Sequence, residues 1–183
     1  MPLVISSILA AAGIAGTTVG FLLYSGERQS LSDERATSDH LRGQLAAATA
    51  ATAGSAEARR SAAEKAGCDY VNLMATYDVS NLDGWLAAVL KGSTGSWHQT
   101  LVQTGDEMLH TMRLGNNSGK AVETHCGVAS LDDRSAHLVA VTKQAVTNPS
   151  KPDGSAQVMP MLVTIDEQSD GRWLVSEMTG VTP

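Results

Sequence analysis

A chain of 183 residues, 43% hydrophobic, 17% charged and 4% aromatic, has room for one ordinary domain and a further segment. Its net charge of −6 is unevenly placed: residues 1–26 carry no charge, residues 27–67 balance, and the surplus of acids lies beyond Cys68. An acidic globular part lacks the clustered Lys and Arg that phosphate backbones need, which excludes nucleic acid as a partner. Composition equally excludes a multi-span membrane protein, a disulfide scaffold and a wholly disordered chain.

The first element is the uncharged run Leu3–Tyr24, closing on Phe21, Leu22, Leu23 and Tyr24. As a helix it extends about 33 Å, enough to cross a hydrocarbon core of roughly 30 Å. Tyr24 falls where an interfacial aromatic belongs. Ala10-Ala11-Ala12 imitates a signal-peptidase site, but no basic segment precedes it and the apolar run continues beyond it. The reading is an anchor that spans the lipid bilayer over residues 1–26. Gly16 and Gly20, with Ala12 one turn earlier, place small residues on one face, where another membrane helix can approach closely. Positive charges after the span leave its orientation open.

Residues 27–62 form an Ala-rich connector. Ser30-x-x-Asp33 has the form of a helix-capping box, and Leu41, Leu45 and Ala48 fall on one stripe. A stalk helix, frayed or broken near Gly54, is expected, since glycine costs about 1 kcal/mol inside a helix.

Residues 63–183 read as the folded domain. Ala66, Tyr70, Leu73, Met74 and Tyr77 recur at helical spacing. Ser80-x-x-Asp83 opens a second amphipathic segment with Leu82, Trp85, Leu86, Val89 and Leu90. A third starts at Thr94 and carries Trp97, Leu101, Met108, Leu109 and Met112. The period then changes to two: strands are expected over 121–131, 136–147, 156–167 and 172–178, with a loop at 148–154 and Pro160 at an edge or bulge. Helices followed by hairpin-linked strands give an α+β fold on an antiparallel four-stranded sheet. Curved around its helices, such a sheet makes a cone that is either filled or open as a pocket. Tyr77, Trp85, Trp97 and Trp173 are its candidate anchors.

Chemistry is sparse. The five histidines form no ligand set, although His125 and His137 stand on adjacent strands, where a hairpin brings side chains face to face. No phosphate loop, C-x-x-C pair or nucleophile turn occurs, so no metal, cofactor or catalytic residue is assigned. Glu123 and His125 share a strand face that reads as the solvent side. Cys68 and Cys126 are the only cysteines, and they fit either a disulfide or two buried free thiols.

Asn72–Asp78, Asn81-Leu82-Asp83, Thr94-Gly95-Ser96-Trp97 and Asp170–Val175, in that order behind an anchor, resemble the actinobacterial Mce-associated membrane proteins. The resemblance covers roughly residues 60–178. It implies a cone-shaped domain like nuclear transport factor 2 (NTF2) and the VirB8 secretion subunits. It also implies a cytoplasmic N-terminus, a periplasmic domain, and an accessory, non-enzymatic role in a mycobacterial-type Mce lipid importer. The implied partners are the transporter permease and Mce subunits. The chain departs from the family in having only Met1 and Pro2 before the span, where a longer basic tail is common. Two other readings accompany this one: a periplasmic module holding a lipid or sterol in the cone, and a VirB8-like secretion scaffold.

Overall fold

The computed structural model describes the backbone of residues 5–181 and the side chains of residues 35–181. Two compact units divide the chain, Met1–Gly54 and Ser55–Pro183. Helix α1 (Ile5–Ala75) contributes residues to both units, and it neither starts at Ser30 nor breaks at Gly54. The Ala-rich composition of the connector outweighs its glycines, Gly43 and Gly54. Leu41 and Leu45 remain 57% and 70% exposed, so nothing among the described residues covers the expected stripe. Thr49 and Thr52 turn their hydroxyls back onto the Leu45 and Ala48 carbonyls, as hydroxyls do within helices. The span Leu3–Tyr24, its Ala12, Gly16 and Gly20 face, and the Ser30/Asp33 box lie outside the residues whose side chains are described. Among the described residues, no helix is long and apolar enough to cross a membrane.

The second unit begins earlier than residue 63, because the end of α1 is already part of the domain. Ala63, Gly67, Tyr70 and Val71 are buried, a stripe spaced four, three and one. Gly67 permits that approach: a Cβ there would stand 2.5 Å from Leu138 Cδ2. Two arginines clamp the same helix. Arg59 donates from Nε and Nη2 to Glu167 Oε2 at 3.0 and 2.8 Å and from Nη2 to the Asp133 carbonyl at 2.6 Å. Arg60 reaches the Val128 carbonyl at 2.8 Å.

Tyr77 lies beyond the end of α1, contrary to its expected place on the helical stripe. It pairs with Gly119 through two backbone hydrogen bonds of 2.9 Å. A Cβ on Gly119 would meet Tyr77 Cε1 at 2.5 Å, so glycine lets the ring lie against that strand. Ser80 does not cap the second helix. Asp78 instead accepts from the Ser80 amide at 2.8 Å and caps a short 3-10 turn, Val79–Asn81. Helix α2 (Leu82–Lys91) follows with Leu82, Trp85 and Val89 buried, then α3 (Gly95–Leu114) with Leu101, Gly105 and Leu109.

Strands β1 (Ser118–Leu131), β2 (Ser135–Asn148), β3 (Lys151–Glu167) and β4 (Trp173–Gly180) form an antiparallel sheet in the order β1-β2-β3-β4. The third strand starts before residue 156. Asn148 Oδ1 accepts from the Ser150 and Lys151 amides at 3.0 and 2.9 Å, which closes a tight turn and absorbs the expected loop into the ladder. Pro160 is paired with Val141, and its carbonyl accepts from the Val181 amide, on the side away from β2. A residue's N–H and C=O point the same way in an antiparallel strand. The missing proline donor therefore removes no β2–β3 bond.

In β2, Ala136, Leu138, Ala140, Thr142 and Gln144 are buried while the residues between them are exposed, so the helices cover one face of the sheet. Leu138, Val163, Ile165 and Val175 on that face join Val71, Leu82 and Val89 in the core. The expected α+β class and four-stranded meander agree with this architecture.

Candidate functional site

The anchor residues occupy different depths. Trp85 is buried, donates from Nε1 to the Leu73 carbonyl at 2.8 Å, and stands 5.5 Å from the Tyr77 ring centroid. Trp97 is half-buried and donates to the Tyr70 hydroxyl at 2.7 Å, which in turn donates to the Val89 carbonyl at 3.2 Å. Trp173 sits at the rim with the Arg59 guanidinium 5.7 Å from its centroid. Among the described residues these four form no common site; they fasten separate parts of the domain.

Burial pushes the Tyr70 hydroxyl up to about 12, against the weaker opposite effects of hydrogen bonds from Trp97 and Ser93. The sign follows from which state ionises first. Above pH ~10 the unfolded chain releases the proton and the folded chain retains it, so stability falls as pH rises from 10 toward 12. Denaturant unfolding should show no contribution from Tyr70 below pH ~10 and a decline above it. Tyr70→Phe should flatten that decline; an equal decline in the variant would assign it elsewhere.

Cys68 and Cys126 are joined by a disulfide with a Cα–Cα distance of 5.9 Å, linking α1 to β1. One turn along α1, Asn72 Oδ1 accepts from Thr124 at 2.7 Å, and Thr124 shares a 2.8 Å hydrogen bond with buried Thr142. Gln144, also buried, donates to the Ala75 carbonyl at 2.8 Å, which satisfies an orphan acceptor at the end of α1. Its own oxygen accepts from Gln157 at 2.6 Å.

The histidines stay apart. His125 pairs in register with Val141, and His137 with Ser130, so the two do not face each other across the hairpin. Two bulges in β1 set this register. His125 and Glu123 are exposed and hydrogen-bonded to each other at 2.8 Å, on the solvent side as expected. No group of three or more His, Cys, Asp or Glu side chains able to hold a metal ion occurs among the described residues.

Two clefts and one open face among the described residues bear on a binding role. A groove of about 680 Å³ runs beside Asp78, Asn81, Lys120 and Thr147. A second cavity of about 310 Å³ opens between the helices and the inner face of the sheet, lined by Met74, Met108, Met112, Met159, Met161 and Met178. Tyr77 and Trp85 border both. The outer face of the sheet carries exposed Val139, Val141 and Leu162. Val139 lies directly opposite Leu162, and Leu162 opposite Thr179, so the exposed side chains run across strands.

No protein-family model matches the chain, and no curated protein does. Solved structures do match. The periplasmic domain of DotI aligns at a TM-score of 0.53 and 18% identity, over 67% of this chain and 95% of that one. An IcmL-like type IV secretion system protein from Legionella pneumophila aligns at 0.51 and 14% identity, over 66% and 91%. Agrobacterium tumefaciens VirB8 aligns at 0.46 and 11% identity, over 68% and 94%, and adds no weight at that score. At these identities the likeness concerns the fold alone: helices on a four-stranded antiparallel sheet.

Proposed function

We propose that this chain is a non-enzymatic, membrane-anchored subunit whose folded domain serves as a periplasmic scaffold in an envelope-spanning assembly. The observation that carries this reading is the open sheet face. Val139, Val141 and Leu162 expose adjacent apolar side chains where no helix of the domain lies over them. Adjacent apolar side chains on an uncovered sheet face are where a partner of a scaffold would pack. The anchor Leu3–Tyr24 holds the domain at the membrane, and its Ala12, Gly16 and Gly20 face meets a partner helix. One neighbour in fold is described as a type IV secretion protein and the other as a periplasmic domain, which supports a secretion-type scaffold.

The second reading is the accessory subunit of an Mce lipid importer, favoured by the order of the Asn72–Asp78, Thr94–Trp97 and Asp170–Val175 segments. Both readings are subunit roles, and one experiment separates them. Affinity purification of the full chain from its own membranes should recover envelope subunits: secretion components under the first reading, a permease and Mce subunits under the second. Leu162→Lys should reduce recovery at least tenfold while changing domain stability by no more than about 0.5 kcal/mol, as for other exposed substitutions. Recovery of the chain alone would defeat both readings.

A further inference from the structure

All methionines among the described residues line one cavity. Met74 comes from α1, Met108 and Met112 from α3, Met159 and Met161 from β3, and Met178 from β4. Each is only half-buried, so six apolar side chains from four elements of the fold leave surface unspent at one place. The rest of the inner face behaves differently. One end of the sheet packs Leu138, Val163 and Ile165 at 2% exposure or less. The core closes there and opens toward Met159 and Met161, which pair in register with Thr142 and Ala140.

The walls define what fits. Methionine is unbranched and polarisable, so a surface built from it conforms to a flexible apolar guest. A rigid fused-ring guest calls instead for a slot of fixed shape. Three side chains on the wall carry polar atoms: Gln144 has its amide committed to Ala75 and its oxygen to Gln157, Trp85 donates to the Leu73 carbonyl, and Tyr77 brings a phenol at the groove end. The volume of about 310 Å³ lies at the lower end of the roughly 300–1,000 Å³ typical of ligand pockets. Trp85 and Tyr77 close the end shared with the neighbouring groove, whose lining includes Lys120 and Asp78 and is the more polar of the two.

We infer that this cavity is a binding site for one unbranched acyl chain, held by dispersion and desolvation rather than by hydrogen bonds. It is separate from the outer sheet face, so this inference does not depend on the scaffold reading. The occupant is a single chain of a lipid or fatty acid, its polar end left outside the methionine walls.

The test is site-mapped photolabelling of the full chain in phosphatidylcholine nanodiscs, using dodecanoic acid with a mid-chain diazirine as the probe. Labelled peptides should carry the adduct at Met74, Met108–Met112 or Met159–Met161, and unlabelled dodecanoic acid should compete. Met108→Gln and Met161→Gln, singly, should each reduce labelling at those positions at least fivefold. Circular dichroism confirms folding for each, and whichever variant folds serves the comparison. Labelling confined to other segments, labelling unchanged in a folded variant, or equal labelling by a sterol diazirine would overturn the assignment. Loss of partner recovery in Leu162→Lys leaves the labelling unaffected, which keeps the two results distinct.

Discussion

Replacing Trp85 by Ala should cost the domain about 3–5 kcal/mol, the range for deleting a large buried aromatic. The side chain is 7% exposed, holds the Leu73 carbonyl at 2.8 Å, and meets the Tyr77 ring at 5.5 Å between centroids. Its removal therefore takes away the shorter of two hydrogen bonds to a carbonyl at the end of α1, a ring contact, and the wall between the two clefts. Trp85→Phe restores most of the volume and leaves the carbonyl only the longer bond from the Thr76 amide, 3.2 Å, so it should cost less, about 1–3 kcal/mol. Denaturant unfolding of the full chain measures both, and an unchanged slope would show that the denatured state is not what moved. A loss below about 1 kcal/mol for Trp85→Ala would mean that the ring is not a structural anchor.

Removing the disulfide should have a comparable effect. The bond joins positions 58 residues apart, and a closed loop of that length restricts the unfolded chain by about 4 kcal/mol. Cys68→Ala with Cys126→Ala should lower the denaturation midpoint accordingly. Reductant should do the same to the natural chain and nothing to the double variant. Arg59, Arg60 and the Asn72–Thr124 contact still hold α1 to the sheet, so the fold should persist without the bond. Identical stability with and without reductant in the natural chain would contradict this account.

The periodicities were informative wherever one face alone is buried. Leu101 and Leu109 announced α3, and alternation along β1 announced a strand. Boundaries were less legible. The 148–154 segment has the residues of a loop, yet Asn148 satisfies two amides and lets pairing continue almost to the turn. Arg59 and Arg60 read as part of a solvated stalk, because their partners, Glu167, Asp133 and Val128, lie about 70 to 110 residues away. Charge composition contains no signal for such a clamp.

The candidate surfaces were harder still. Met108 and Met112 fit a helix face and Met159 and Met161 fit a strand face, but only the packing of α3 on the sheet brings them to one cavity. The open face did leave a trace. In the run from Ala136 to Val141, Ala136, Leu138 and Ala140 occupy one phase, while Val139 and Val141 stand between His137 and Lys143 in the other, so the outer face of β2 is apolar at its middle. An antiparallel sheet commonly packs one face and solvates the other, so apolar residues in the outer phase leave a place for a second cover. Here the helices supply one cover, and the scaffold reading assigns the other to a partner.

That assignment is the central claim, and crosslinking from the face itself tests it most directly. A photoreactive amino acid placed at Val139 or Leu162 of the full chain, activated in intact cells, should yield a discrete adduct with a subunit of an envelope assembly. The same group at exposed Val102 on α3, away from the sheet, should not yield that adduct. No adduct at the sheet positions, or the same products from all three, would contradict a partner seated on this face.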